Sequence, residues 1–126
     1  MAIRQILSAH NEQSSSDAYH LLLNAIGNDH AGTYYSIALG ILPSMERILR
    51  EGSPWSQRTI LEVLIELYGS FEPEPGQERY LGVSLKKLIE QGISVLAPLV
   101  GTLEKDGGVA ATSARQLLEL MDTLSQ

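Results

Sequence analysis

The sequence feature that most constrains the fold is the stretch Ile60–Tyr68, which reads ILEVLIELY. Its only polar residues are Glu62 and Glu66. Because they are four positions apart, they share one narrow stripe on the surface of an α-helix. The rest of that helix must be covered by other parts of the chain. The stretch therefore predicts a helix in the middle of a packed stack, with neighbours on most of its sides.

Local signals predict where this helix begins and ends. Ser53 and Pro54 are suited to the N-cap and the first helical position. Gly69 is suited to the end of the helix. No segment alternates between apolar and polar residues for long enough to predict a strand. The expected fold class is all-α, with other helices predicted over residues 1–10, 14–26, 33–51, 79–91, 93–105 and 107–124.

The apolar spacing also predicts which helix faces are buried. Ser14 and Asp17 have the spacing of a capping box at the start of the second helix. Pro43 is predicted to lie inside a helix and to bend it, and Pro98 is predicted to lie inside another helix. The residues predicted to face the core are Ala18, Leu21, Leu22, Ala25, Ile26, Tyr34, Ala38, Ile41, Leu42, Met45, Ile48, Leu49, Leu96, Leu99, Val100, Leu103, Ala114, Leu117, Leu118, Met121 and Leu124.

Two parts of the chain resemble each other. Residues 42–68 align with residues 97–124, so that Pro43 matches Pro98 and Gly52 matches Gly107. Each unit reads as a proline-containing helix, a glycine turn and a second amphipathic helix. Such a unit cannot bury its apolar face alone and must stack on a neighbour.

A helix pair with a proline in its first helix resembles a HEAT repeat, of the armadillo-like α-solenoid group. The resemblance covers most of the chain from about Asn24 onward and implies a short α-solenoid of antiparallel HEAT-like helix pairs, forming one domain over residues 1–126. The two units are further apart than the usual HEAT period. The excess is the segment from Ser70 to Lys87, which is read as an insertion between stacked units.

The segments DHAGTYYSIALGILPSMERIL and WSQRTILEVLIELYGSFEPEPG resemble a group of small bacterial HEAT-like proteins. These relatives carry a similar glycine–threonine–tyrosine turn and a similar acidic loop. Some bacterial HEAT-like and other small acidic helical proteins act as immunity proteins of polymorphic toxin systems. The resemblance implies a protein that binds and inhibits a toxin, with a scaffold or adaptor protein as the alternative.

The net charge of −6 and the absence of cysteine limit the classes of function. Binding to a nucleic-acid backbone or to an anionic membrane needs clustered Lys and Arg, so neither is expected. No disulfide is possible, which fits a reducing compartment. The N-terminal residues do not read as a signal peptide. The expectation is a cytoplasmic protein that binds a basic protein surface, or a protein whose charge serves only solubility.

The acidic loop after the apolar helix is the first candidate binding site. Glu72, Glu74 and Glu78 follow Glu66 with no Lys or Arg from Glu66 through Gln77. Pro73 and Pro75 would stiffen the loop, which lowers the entropy lost on binding. Uncompensated negative charge would steer a basic partner. A solvated loop without a function is the alternative, and acid–base catalysis is the least favoured.

Three aromatic residues are further candidates for partner contact. Tyr34 and Tyr35 are adjacent, so both cannot point into one core if they lie in a helix. Trp55 is the only tryptophan, and it either covers the end of the core or anchors a partner. Phe71 is expected to hold the acidic loop against the helices.

The sequence shows no catalytic or cofactor motif. His10, His20 and His30 have no metal-binding spacing and are read as scattered surface histidines. Asp29 and His30 could form an acid–base pair, but a helix-start turn capped by Thr33 is the favoured interpretation. No nucleophile elbow or phosphate-binding loop is present. The expectation is a non-enzymatic protein without a metal or cofactor.

Overall fold

The computed structural model describes residues 2–124, and seven α-helices account for most of them. The prediction of a mainly helical protein is confirmed. The α-helices are α1 (Ala2–Leu7), α2 (Glu12–Ile26), α3 (Ile37–Glu51), α4 (Pro54–Ile65), α5 (Leu85–Ser94), α6 (Ala97–Asp106) and α7 (Ala111–Leu124). Five strands of two residues each are also present, so the expectation of an all-α fold was too simple.

Helix α4 lies at the centre of the helical part, as the sequence predicts. It packs against α2 and α7, and it also contacts α1 and α3. Ile60, Leu61 and Leu64 have no measurable exposure to solvent. Ser53 caps the helix by accepting the backbone N–H of Ser56 at 3.2 Å, and Pro54 is its first residue. The cap at the start of α4 and the burial of its apolar residues therefore both agree with the prediction.

The end of this helix differs from the prediction. After Ile65 the chain makes a π-helical turn over Glu66–Ser70, in which the Phe71 N–H donates to the Glu66 carbonyl at 2.8 Å. Gly69 lies inside this turn and does not end the helix. A Cβ atom on Gly69 would lie 2.6 Å from Leu120 Cδ2. The glycine is needed here because helix α7 approaches the turn closely.

The N-cap of helix α2 lies three residues before the predicted cap, Ser14. Asn11 is the N-cap and accepts the backbone N–H of Ser14 at 2.8 Å, while the Ser14 hydroxyl accepts the Asn11 N–H at 3.1 Å. This is a capping box in which Ser14 has the role expected of its third residue. Asp17 instead accepts a hydrogen bond from Gln13.

The buried helix faces agree with the prediction in part. Leu21 and Ala25 are exposed, whereas Leu23 is buried, because α2 is covered by α1 as well as by α4. In α7, Leu118 is only partly buried and Leu124 is exposed. Ile41 and Leu99 are also only partly buried. Core residues that the sequence predicts and the structure buries are Ala18, Leu22, Ile26, Tyr34, Ala38, Leu42, Met45, Ile48, Leu49, Leu96, Val100, Leu103, Ala114, Leu117 and Met121.

A small three-stranded sheet joins distant parts of the chain. Strands β1 (Gly27–Asn28) and β2 (Thr33–Tyr34) are antiparallel, and β3 (Glu72–Pro73) pairs with β2 in parallel. Thr33 and Tyr34 are therefore strand residues, and Thr33 does not cap the following helix. Helix α3 begins only at Ile37. A strand of two residues leaves no alternating pattern that a sequence could reveal.

A second correction concerns the residues before α5, which were predicted to be helical. Strands β4 (Arg79–Tyr80) and β5 (Val83–Ser84) instead form a tight antiparallel hairpin. Its turn residues, Leu81 and Gly82, both have positive φ angles, 52° and 81°. A helix cannot pass through two such residues.

The two similar units of the sequence differ at their prolines. Pro43 lies inside α3, as predicted. Pro98 lies in the first turn of α6, where a proline removes no helical hydrogen bond and causes no bend. Helices α3 and α4 contact each other, as do α6 and α7, and α4 also contacts α7.

Candidate functional site

The acidic loop is an ordered part of the three-stranded sheet. The Glu72 N–H donates to the Gly32 carbonyl at 3.0 Å, and the Glu74 N–H donates to the Tyr34 carbonyl at 2.8 Å. Phe71 is buried, as expected, and its ring lies about 3.9 Å from where a Cβ on Gly32 would be. We call the segment Glu72–Glu78 the acidic strand. Its carboxylates are presented from a fixed backbone.

The structure compensates one of the three charges of the acidic strand. Lys86, in the first turn of α5, donates to both carboxylate oxygens of Glu72, at 2.7 and 2.9 Å. The expectation that the charge of this loop is uncompensated was therefore wrong at Glu72. The pair is exposed, so its contribution to stability is small.

Glu74 and Glu78 have neutral partners. The Thr33 hydroxyl donates to Glu74 Oε2, and the Gly76 N–H donates to Glu78 Oε1 at 2.9 Å. Among residues 2–124, no Lys, Arg or His forms an ion pair with either carboxylate. Glu74 is partly buried and Glu78 is exposed. These two side chains are oriented by neutral donors, and neither has a cationic partner among the described residues.

Glu66 does not join the other three glutamates. Its carboxylate lies in a cleft of about 270 Å³ that is lined by residues of α2, α4, the π-helical turn and α7. The lining residues are Ser16, Tyr19, Glu62, Ile65, Glu66 and Gln116. We call this the carboxylate cleft. The sequence predicts that Glu62 and Glu66 share a stripe, and the structure adds Tyr19 from another helix.

The carboxylates in and near the carboxylate cleft differ in whether they have a basic partner. Arg58 donates to Glu62 at 3.1 Å, and Asp29 contacts His20 at 3.0 Å. Glu66 has no ion pair with any described residue. Glu66 is thus a partly buried carboxylate with acidic groups nearby and no cation of its own.

Two pKa shifts follow from this arrangement. Burial raises the pKa of Glu66, and the negative charges of Asp29 and Glu62 raise it further. Burial also raises the pKa of Tyr19 to about 12, with Glu66, Asp29 and Glu62 adding to the effect. Both shifts have the same cause, an environment that disfavours one more negative charge. A cation bound in the cleft would oppose both.

The aromatic candidates have three different environments. Tyr34 is fully buried, and its hydroxyl has no hydrogen-bond partner among the described residues. Burial raises its pKa, and Glu72 and Glu90 add to the shift. Tyr35 is partly exposed, so one tyrosine of the pair does reach the surface. It does so because the pair lies at the end of a strand, where adjacent side chains alternate.

Trp55 is partly exposed at the start of α4, with the Arg58 guanidinium 5.3 Å from its ring. The distance fits a cation–π contact. Of the three aromatic candidates, Tyr34 is excluded from direct contact with a partner by its burial. Tyr35 and Trp55 stay candidates.

The histidines and Asp29 are the remaining polar candidates from the sequence. Asp29 pairs with His20 and not with His30, so the acid–base pair considered from the sequence does not form. Within residues 2–124, no group of His, Asp and Glu has a geometry that could hold a metal ion. In the same range, no helix is long and apolar enough to cross a membrane.

Two features of the candidate site could not be read from the sequence. Tyr19 reaches the carboxylate cleft because α2 packs beside α4, and the charge of Asp29 acts on Glu66 from the turn between β1 and β2, so no local pattern reports either residue. The hairpin Arg79–Ser84 exposes three apolar side chains at its tip, of which Leu81 is the most exposed. The dipeptide Leu81-Gly82 between two β-branched or aromatic residues is a weak signal for such a turn.

No family model, curated protein or solved structure matches the chain. The geometry of the acidic strand and of the carboxylate cleft is therefore the basis for a functional conclusion.

Proposed function

We propose that this chain is a non-enzymatic protein-binding module whose acidic surface covers a basic surface of a partner protein. The single observation that carries the proposal is Glu66. This carboxylate is partly buried beside two other acids and has no cation among the described residues. Its ionised form destabilises the free protein, and a Lys or Arg side chain of a partner would relieve that penalty.

The acidic strand supports the same proposal. Glu74 and Glu78 are oriented by hydrogen bonds from neutral donors, so their charges are fixed in direction but not neutralised. Fixed charges lose little conformational entropy when a partner binds. They also raise the rate of encounter with a basic surface. The strand and the cleft together would give two points of contact for such a surface.

We propose further that the helix pairs stack in a HEAT-like manner. Helices α2, α4 and α7 lie side by side in that order, and α3 contacts α6 beside them. This is the arrangement expected when a helix pair α3–α4 stacks on a second pair α6–α7. The acidic strand then belongs to the segment inserted between the two pairs, and such insertions often lie on the binding face.

The sharper form of the proposal is an immunity-type inhibitor that covers a basic region of a bacterial toxin. It rests on the resemblance of the sequence to small bacterial HEAT-like proteins. A cytoplasmic scaffold or adaptor in another assembly is the alternative. A toxin gene directly beside the gene of this protein would favour the inhibitor, and its absence would favour the adaptor.

The experiment has two stages. The tagged protein is purified from its source organism, and a partner that copurifies is identified and produced alone. Association with that partner is then measured for the wild type, Glu66→Gln, Glu78→Lys and the control Asp106→Asn. Asp106 is an exposed acid at the end of α6, and it belongs neither to the acidic strand nor to the lining of the carboxylate cleft.

We expect slower association for Glu66→Gln and Glu78→Lys, with a larger difference at low salt than at high salt. The control should associate as the wild type does. Glu72→Lys and Glu74→Lys are less suitable, because they would break contacts with the distant residues Lys86 and Thr33, whereas the Glu78 side chain is bonded, among the described residues, only to Gly76 of its own loop. Equal association rates for all four proteins across the salt series would refute the proposal.

A further inference from the structure

The most exposed large apolar side chain of the described residues is Leu81, at the tip of the β4–β5 hairpin. It is 87% exposed, and its neighbours Tyr80 and Val83 are 40% and 47% exposed. Three of the four residues from Tyr80 to Val83 are therefore apolar side chains that face solvent. Scattered exposed apolar residues are ordinary, but a contiguous set on a protruding turn is typical of an interaction site.

Leucine is an unusual residue for the backbone conformation at position 81. The φ angle of Leu81 is 52°, and it is the only non-glycine residue with a positive φ in the described chain. A two-residue hairpin turn with positive φ at both positions favours Asn, Asp or Gly at the first of them. Leucine gains neither conformational ease nor burial there. The free protein thus derives no benefit from the leucine side chain.

The base of the hairpin is held firmly. The Leu85 N–H donates to the Glu78 carbonyl at 2.8 Å, and the Arg79 guanidinium donates to the Gly82 carbonyl. The pair formed by Lys86 and Glu72 joins α5 to the acidic strand just before the hairpin. A tip on such a base loses little entropy when it enters a pocket.

We propose that Tyr80, Leu81 and Val83 form an apolar anchor that inserts into a pocket of the partner protein. This inference rests on the proposed protein-binding function and deepens it. In the segment Glu72–Ser84, Glu72 is paired with Lys86, whereas Glu74 and Glu78 have no ion pair with a described residue, and the one arginine is directed back to the turn. The occupant that fits is therefore a protein surface with an apolar pocket bordered by Lys or Arg.

The two parts of this surface have separate roles. The carboxylates would act mainly on the rate of association, because charge acts at a distance. The leucine would act mainly on the rate of dissociation, since apolar contact forms only after docking. Buried apolar anchors surrounded by polar contacts are the usual source of tight binding.

We expect Leu81→Asn to change stability and partner binding in opposite directions. Leu81→Asn suits the turn better, so we expect the melting temperature to rise by about 2–5 °C. The same change should weaken binding of the partner by about 10-fold to 100-fold. Leu81→Gly keeps the turn and removes the side chain, so it should weaken binding to a similar extent. Val95→Asn is the control, because Val95 is 73% exposed elsewhere, where α5 ends.

A photo-crosslinking amino acid at position 81, and in parallel at position 95, identifies the protein that contacts the tip in cell extract. The crosslinked protein is then produced alone, and its affinity for the wild type and the variants is measured. We expect a product from position 81 that is absent from position 95, and weaker binding for both Leu81 variants alone. No product specific to position 81, or equal affinity for all variants, overturns the anchor.

The same measurements separate this inference from the proposed function. If Glu66→Gln and Glu78→Lys slow association while Leu81→Asn has no effect, the acidic surface binds and the anchor is refuted. If Leu81→Asn alone weakens binding, the anchor is supported and the electrostatic proposal fails. Self-association of the wild type that is lost in Leu81→Asn would show that the occupant is a second copy of this chain. That result would overturn the proposal that the tip inserts into a different partner protein. A lower melting temperature for Leu81→Asn would show that the leucine serves the fold.

Discussion

Helix α4 and the segment Phe71–Ser84 are separated by a single π-helical turn, but they are held in place in different ways. Helix α4 has a cap, a proline at its first position and, from Ile60 to Ile65, apolar residues at every position except Glu62. The later segment is fixed by single hydrogen bonds to distant residues, such as that from Thr33 to Glu74, 41 positions away. A substitution in the residues that contact them should therefore displace the segment more readily than the helix. Substitutions in the two regions can test this difference.

The largest effect is expected for Leu64→Ala in α4. Leu64 is fully buried at the centre of the helices, so its truncation leaves a cavity. We expect the free energy of unfolding to fall by about 2–5 kcal/mol. Denaturant unfolding measures it, with Leu21→Ala as the control, because Leu21 is 43% exposed on α2. A loss of less than about 1 kcal/mol for Leu64→Ala would contradict the central position of α4.

Gly27→Ala tests the sheet that holds the acidic strand. A Cβ atom at this position would lie 2.2 Å from the Thr33 carbonyl oxygen, so strands β1 and β2 must separate. We expect a loss of about 1–3 kcal/mol in thermal or denaturant unfolding.

Gly40→Ala in α3 is its matched control. No atom lies within 4 Å of the corresponding Cβ, and alanine favours a helix, so we expect stabilisation of about 1 kcal/mol. If Gly27→Ala were as stable as the wild type or more stable, the close approach of β1 and β2 would be wrong.

Thr33→Val removes the hydroxyl that orients Glu74 while keeping the size of the side chain. Since the bond goes to a carboxylate but is partly exposed, we expect a loss of about 1 kcal/mol. Thr102→Val is the control, because the Thr102 hydroxyl bonds only to a carbonyl of its own helix. Nuclear magnetic resonance of the Glu74 amide should also show greater mobility in Thr33→Val alone. An unchanged amide would mean that the carboxylate is not held by this bond.

The smallest effect is the pH dependence due to Glu66. Its pKa is raised in the folded protein above the model-peptide value of 4.5, so folding favours the protonated form. This contribution to stability is complete below pH 4.5 and is lost as pH rises through the higher folded pKa. Glu66→Gln should abolish the contribution, so the variant should gain stability relative to the wild type as pH rises from 4.5 through the folded pKa.

Unfolding curves at several pH values measure this difference, with Asp106→Asn as the control. A constant difference between Glu66→Gln and the wild type as pH rises would mean that neither burial nor the nearby acids raise the pKa of Glu66 in the folded protein.

The contrast between the regions also explains how much the sequence could predict. The start of α4, the burial of its apolar residues and the burial of Phe71 follow from neighbours in sequence, and all are confirmed. The pairing of Thr33 with Glu72 depends on two segments that meet only in the folded chain. The same holds for Lys86 beside Glu72 and for Tyr19 beside Glu66. These contacts decide which carboxylates are neutralised, so the charge pattern of the candidate site was predictable only in part.

The parallel pairing of β2 with β3 also has a consequence for hydrogen exchange. The amide protons of Glu72 and Glu74 are shielded only while the α2–α3 turn is in contact with the strand. They should therefore exchange through a local opening well below the free energy of global unfolding, whereas the amides of α4 should exchange near that limit. A partner that covers the acidic strand would slow exchange at these two amides first. Their protection then reports occupancy of this surface in a way that does not depend on the partner's identity.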